Sequence, residues 1–165
     1  MAKVEFGFDA FALRPMEANS ATPEILDLAT VDTPVLAFDD TTEEYANGVF
    51  QVPGDVDTAG TVTFRAYVAP KTGDAAKNVA LTFGHRAIND GEAINAAYTD
   101  EDSGDKAIVA TTAYATEITW TETIANLGWA ANDLIIFRFS RPVAAAHNLV
   151  GDMLLLNFAI EVPLS

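Results

Sequence analysis

From position 31 onward, apolar and polar residues alternate in short runs broken by Gly, Pro, Asn and Asp, the pattern of half-buried strands. The cleanest case is 60–69, where Val62, Phe64, Ala66 and Val68 fall on one face and Thr61, Thr63, Arg65 and Tyr67 on the other. The same reading predicts strands over 35–38, 45–52, 78–88, 107–112, 116–124, 134–141 and 150–162. The segment 134–141 carries Ile135, Ile136, Phe137 and Phe139 and stops at Pro142, while 45–52 closes on the turn signature Pro53-Gly54-Asp55. Between these runs, 90–98 predicts a loop with one helical turn, and the acidic stretch 100–105 predicts a solvated loop. No helix-periodic segment exceeds about two turns and no long βαβ spacing is present, so the strands should pair antiparallel. Eight strands over 31–165 predict an all-β fold, an eight-stranded antiparallel jelly-roll β-sandwich. An immunoglobulin-like sandwich is the alternative topology. The strand count and the long connection between the fourth and fifth strands favour the jelly roll.

Residues 1–30 differ in texture. Phe6, Phe8, Phe11, Leu13 and Met16 place large apolar groups around Gly7, Arg14 and Pro15, and Phe6 and Phe8 alternate with Glu5, Gly7 and Asp9 as an extended piece would. Thr22-Pro23-Glu24 reads as a helix N-cap, a proline at the first helical position and an acidic first turn. The segment therefore reads as an ordered, extended N-terminal arm, with 31–165 as the sandwich domain. Its phenylalanines either cover the core of their own domain or reach a neighbouring subunit, and the second reading is preferred because so many aromatics lie near a terminus.

Composition narrows the partners. In this chain of 165 residues, 50% hydrophobic and 20% charged content is a globular balance with enough apolar surface for one core. Twenty-four Asp and Glu against nine Lys and Arg give a formal charge of -15, which repels phosphate backbones and anionic membrane surfaces, so neither nucleic acid nor membrane is expected as a partner. No run of about 18 apolar residues is present, and Glu5 and Asp9 interrupt any leader-like stretch. The absence of cysteine excludes disulfides, zinc-thiolate sites and cysteine nucleophiles together.

The catalytic inventory is sparse. His85 and His147 stand apart from each other and from any serine in a nucleophile motif, and both read as structural or solvent-facing. Asp39, Asp40, Glu43 and Glu44 could in principle gather a hard cation, but around Thr41-Thr42 they read as a polar turn capping local amides. Asp100, Asp102 and Asp105 fail the calcium-loop template, since Gly104 stands at a ligand position and Thr111 where the bidentate Glu belongs. Glycine-rich phosphate loops are missing. Trp120, Trp129, Tyr45, Tyr67, Tyr98 and Tyr114 could line a sugar-binding face, although such residues serve more often in cores and strand pairs. No catalytic, cofactor-binding or metal-binding residue is assigned, and no enzyme is expected.

Four stretches carry a resemblance. They are Phe38-Asp39-Asp40-Thr41-Thr42-Glu43-Glu44-Tyr45-Ala46 followed by Phe50-Gln51-Val52-Pro53; Gly60-Thr61-Val62-Thr63-Phe64-Arg65-Ala66-Tyr67; Ala87-Ile88-Asn89-Asp90-Gly91-Glu92-Ala93-Ile94 running to Ala97-Tyr98; and Asp133-Leu134-Ile135-Ile136-Phe137-Arg138-Phe139-Ser140-Arg141 with 149–162. Together, over about 35–162, they resemble small virion structural proteins of tailed bacteriophages. The run Val79 to His85 departs from that pattern in lacking a tryptophan, and no functional residue is carried over. The resemblance implies a non-enzymatic jelly-roll protein of the capsid decoration or cement type, made in the host cytoplasm and resident on the virion surface. Its implied partners are the major capsid protein and copies of itself, as a homotrimer. The alternative is a tail- or fibre-associated carbohydrate-binding module, which requires an exposed aromatic strip on one sheet.

Overall fold

The alternating runs fold as antiparallel strands in a computed structural model whose described residues are 2–15, 18–28, 32–72, 77–109, 114–143 and 147–165. Two sheets face each other. One contains β1 (Lys3–Asp9), β3 (Thr22–Asp27), β4 (Asp32–Phe38), β6 (Thr61–Pro70), β11 (Thr116–Thr123) and β13 (Met153–Pro163), in the order β11-β6-β13-β4-β3 with β1 also on β13. The other contains β2 (Arg14–Pro15), β5 (Tyr45–Gln51), β8 (Thr82–Ile88), β9 (Thr99–Asp102) and β12 (Leu134–Ser140), in the order β2-β5-β12-β8-β9. A short ribbon pairs β7 (Lys77–Val79) with β10 (Lys106–Ile108). The architecture is the expected all-β jelly-roll sandwich, built from thirteen strand segments among the described residues rather than eight.

The core lies where the alternation of 60–69 put it. Val62, Phe64, Ala66 and Val68 are wholly buried, with Thr61, Thr63, Arg65 and Tyr67 on the opposite side of β6. Phe64 and Phe158 from the six-stranded sheet meet Phe83, Phe137 and Phe139 from the five-stranded one. Ring centroids lie 4.7 Å apart for Phe64–Phe83, 4.9 Å for Phe139–Phe158 and 5.7 Å for Phe83–Phe158. Each such fully buried phenylalanine contributes about 1.5–3 kcal/mol relative to an exposed one. Gly48 pairs with Phe137 across β5 and β12, and a side chain there would reach within 2.2 Å of the Phe137 ring, so the glycine makes room for that core ring.

The extra strands come from places where side-chain pattern was weak. Residues 78–88 divide at Ala80-Leu81, because Leu81 leaves the ladder and exchanges hydrogen bonds with Ser103 instead, its N–H donating to Ser103 Oγ at 2.9 Å. The chain thereby passes from the ribbon into the five-stranded sheet, as strands at sandwich corners do. The stretch 100–105 is not all loop: Thr99–Asp102 adds β9 to the edge of β8, and Thr82 donates to Asp102 at 2.5 Å. The helix signature at Thr22-Pro23-Glu24 is overridden by pairing with β4, and Pro23 is tolerated because β3 is an edge strand. The loop 90–98 carries turns without a helix. The one short helix among the described residues, α1 (Ile124–Leu127), is capped by Thr123 at one end and by Gly128, with φ 65°, at the other. Of the strand predicted over 107–112, only Lys106–Ile108 is seen, since 110–113 lie outside the described residues.

Residues 3–27 are woven into the sandwich. β1 runs antiparallel to β13 over its whole length, and a bulge between Leu155 and Asn157 marks where β13 exchanges β4 for β1 as its neighbour. Phe8 is buried with its ring edge-on to Phe137 at 4.9 Å, and Phe6 lies 4.9 Å from Phe50, so these two phenylalanines cover the core of their own chain. Phe11 differs, at 77% exposed. It sits in a turn whose amides donate to the Asp9 carboxylate.

Candidate functional site

Directly paired residues of neighbouring strands point to the same side, so register alone lays out rows across a sheet. On the outer face of the five-stranded sheet one row reads Arg14 (β2), Asn47 (β5), Arg138 (β12), Gly84 (β8) and Asp100 (β9). The row beside it holds Tyr45, Ser140, Thr82 and Asp102. On the other side lie Val49, Ile136 and Arg86, and then Gln51, Leu134 and Ile88. A polar track thus crosses the whole sheet, with an apolar strip along one flank in which Val49 and Leu134 are exposed.

Arg138 is the centre of the track. Its Nη2 donates to both carboxylate oxygens of Asp100 at 3.1 Å, and its guanidinium lies 5.0 Å from the Tyr45 ring centroid and 4.8 Å from that of Tyr98. Arg86 stacks on the same Tyr98 ring at 5.0 Å and donates to the Ala96 carbonyl. Such cation–π contacts fix both the rings and the cations. Gly84 makes the crossing possible: a side chain there would stand 2.5 Å from Asp100 Oδ1 and 2.7 Å from Arg138 Nε. Burial, and next the Glu43 carboxylate, push the Tyr45 phenol above its usual pKa, so it stays a neutral hydroxyl.

The track is left short of partners. Asn47 Oδ1, Arg86 Nε and Arg138 Nε are buried without a hydrogen bond and make up three of the six such side-chain atoms among the described residues. Unsatisfied buried groups cost about 1–3 kcal/mol each, and they gather where a ligand or water completes them. At the β2 edge the row opens into a cleft of about 550 Å³ lined by Gly7, Ala12, Arg14, Asn47, Gly48 and Val49.

Directly beneath lies His85, which faces the core and is 3% exposed. Trp129 Nε1 donates to its Nδ1 at 3.1 Å, and burial lowers its pKa to about 4, so the ring is a neutral acceptor in the core. Glu101 on β9 approaches Nε2 at 3.8 Å, and burial raises its carboxyl pKa.

The six aromatic residues singled out from the sequence therefore divide. Trp120 and Trp129 are core residues, at 8% and 3% exposure. Tyr67 lies on the opposite face and donates to Glu117, and Tyr114 is exposed beside the undescribed 110–113. Only Tyr45 and Tyr98 belong to the track. The acidic turn is committed elsewhere, since Asp39 Oδ1 accepts from the Thr41 and Thr42 amides at 2.7 and 2.8 Å, and the Thr41 hydroxyl bond holds that carboxyl below its ordinary pKa. His147 pairs with Asp105 at 2.5 Å. The residues unsuspected in the sequence are Arg138, Arg86, Asn47 and Gly84. Their one signal was alternation, which points Arg138 outward between Phe137 and Phe139.

No family model matches the chain, and no curated protein matches it. Solved structures do. The CBM22-2 xylan-binding domain of Paenibacillus barcinonensis Xyn10C superposes with a TM-score of 0.56 over 95% of this chain and 98% of its own, at 9% identity. A family 35 carbohydrate-binding module of Clostridium thermocellum gives 0.53, covering 95% and 97% at 11% identity. A third match, at 0.51 and 13% identity, covers 96% of this chain and 23% of the isomalto-dextranase of Arthrobacter globiformis T6, solved with panose. At such identities the likeness is one of fold.

Proposed function

We propose that this protein is a non-catalytic carbohydrate-binding module that takes a glycan chain along the outer face of its five-stranded sheet. The observation that carries the reading is the Tyr45–Arg138–Tyr98 stack, anchored by Asp100 and set in a row of polar groups with unfilled hydrogen-bonding capacity. A sugar ring is amphipathic: its C–H face packs on an apolar or aromatic surface and its hydroxyls need several donors and acceptors at fixed positions. A polar track flanked by Val49, Ile136 and Leu134 offers both in adjacent rows. The fold shared with xylan-binding and other carbohydrate-binding modules supports the reading. With both tryptophans in the core, the aromatic part of the surface is narrow, and the polar row takes the larger share of recognition.

The test is affinity electrophoresis and calorimetry against a panel of soluble plant, microbial and host-surface polysaccharides. The expected result is binding to at least one of them, lost in the Tyr45→Ala/Tyr98→Ala double variant while its melting curve stays intact. Binding to none of the panel would overturn the reading. Residence on a virion, expected from the sequence resemblance, is a separate proposal: stoichiometric addition of the purified protein to capsids lacking it would support that proposal, and failure to bind them would overturn it.

A further inference from the structure

The chain is short of cations, yet it gathers three of its five arginines, Arg14, Arg86 and Arg138, on one sheet face. Elsewhere several cations are spent on carboxylates: Lys3 pairs with Glu161, Lys71 with Glu24 and Asp152, and Arg65 with three glutamates, while Arg141 is buried on the Phe38, Gly151 and Leu149 carbonyls. Arg138 has Asp100. Arg14 and Arg86 have no carboxylate within ion-pair distance among the described residues, in a chain with 24 acidic side chains. Arg86 is nevertheless held in place, by the Tyr98 ring and the Ala96 carbonyl, and its Nε is unpaired. The face is also polarised. Asp102 and Glu43 lie toward the Ser140 row and bond to Thr82 and Ser140, on the side of the track away from Arg86.

Resting on the carbohydrate reading of this face, we propose that the ligand is an acidic polysaccharide whose uronate carboxylates are read by Arg86 at one end of the track and Arg14 at the other. A fixed, planar guanidinium is matched to a carboxylate by two parallel hydrogen bonds, which a neutral hydroxymethyl group cannot replace. The two arginines stand three strand spacings and one row apart, about 16 Å along the sheet, so they read carboxylates on different sugar units of one extended chain. Between them, Arg138 is already neutralised by Asp100 and takes hydroxyl oxygens. The overall charge of -15 opposes this ligand at long range, but salt at physiological strength screens it beyond about 8 Å and leaves the local contacts in force.

The experiment compares polygalacturonate, alginate and glucuronoxylan, each beside its carboxyl-reduced form, with unbranched xylan as a neutral arm. For at least one pair the acidic form should bind roughly ten- to a hundredfold tighter, the range expected for a charge-assisted pair. Arg86→Gln and Arg14→Gln should each erase most of that preference, and Arg65→Gln on the opposite sheet should keep it. Should Arg86→Gln lower the melting temperature, the exposed Arg14→Gln carries the test alone. Equal or tighter binding of the reduced or neutral polymers, or a preference that survives both substitutions, overturns the inference and leaves the carbohydrate reading standing. Binding to none of these polymers overturns the inference, and the wider panel then decides the carbohydrate reading separately.

Discussion

The two sheets present outer faces made from the same ingredients, an arginine, carboxylates and tyrosine, to opposite ends. On the six-stranded sheet all three guanidinium nitrogens of Arg65 face glutamates: Glu5 at 3.0 Å, Glu117 at 3.8 Å and Glu161 at 3.9 Å. Tyr67 spends its hydroxyl on Glu117. That face is a closed, solvated network of exposed pairs, each worth at most about 1 kcal/mol. On the five-stranded sheet Arg138 has one carboxylate, two aromatic neighbours and a nitrogen with no partner. Residue types do not distinguish a finished surface from a receptive one. The number of donors and acceptors left over does.

The contrast is open to direct attack, the largest effect first. Gly84→Leu should abolish glycan binding, by more than a hundredfold, because its side chain must occupy the space of Asp100 and Arg138; a Thr61→Leu variant on the exposed outer face of the other sheet should bind normally. Titration calorimetry of the two variants reads this out. Next, Tyr98→Ala should weaken binding roughly ten- to thirtyfold by releasing both arginines, whereas Tyr67→Ala should change affinity less than twofold. Third, Arg138→Gln should lower affinity several-fold with stability nearly unchanged, while Arg65→Gln should cost up to about 1 kcal/mol in denaturant titration and leave affinity alone.

The last effect is one of pH. His85 has a folded pKa near 4 against about 6.5 unfolded, so between those values the unfolded chain binds more protons. Stability contributed by the neutral ring is fully present above pH 6.5 and is lost as pH falls toward 4. Glu101, raised by burial, opposes part of that loss. The melting temperature should therefore decline gently across this window, and His85→Gln, which can still accept from Trp129, should flatten the decline. A profile indifferent to that substitution would mean that the histidine is not the titrating group.

The sandwich was legible where burial is one-sided. Segments 60–69, 116–124 and 134–141 alternate because one face of each meets the core, and each lies in the structure within a residue or two of its expected bounds. β9 was illegible because Thr99-Asp100-Glu101-Asp102 contains nothing apolar to alternate; the ladder to β8 and the Asp100–Arg138 pair hold it. β3 was misread because its capping signature is local, and the partner strand that overrides it is not. The candidate site was hidden for a related reason. Arg14, Asn47, Gly84, Asp100 and Arg138 lie on five different strands, and only register makes them one row. The tryptophans, the obvious sugar platforms, drew attention to the core instead.

The pairing of β1 with β13 also settles how the molecule would bear load. Lys3 stands opposite Pro163, and the Leu164 amide donates to the Ala2 carbonyl at 2.9 Å, so both ends leave the sandwich at the same corner. Tension applied between them would open that ladder one rung at a time, like a zip, whereas a pull along the strands in opposite directions would load every rung at once. Loaded through both ends, the sandwich should yield first at this ladder. Held by one end, with a ligand drawn across the far sheet, it keeps that zip out of the line of force.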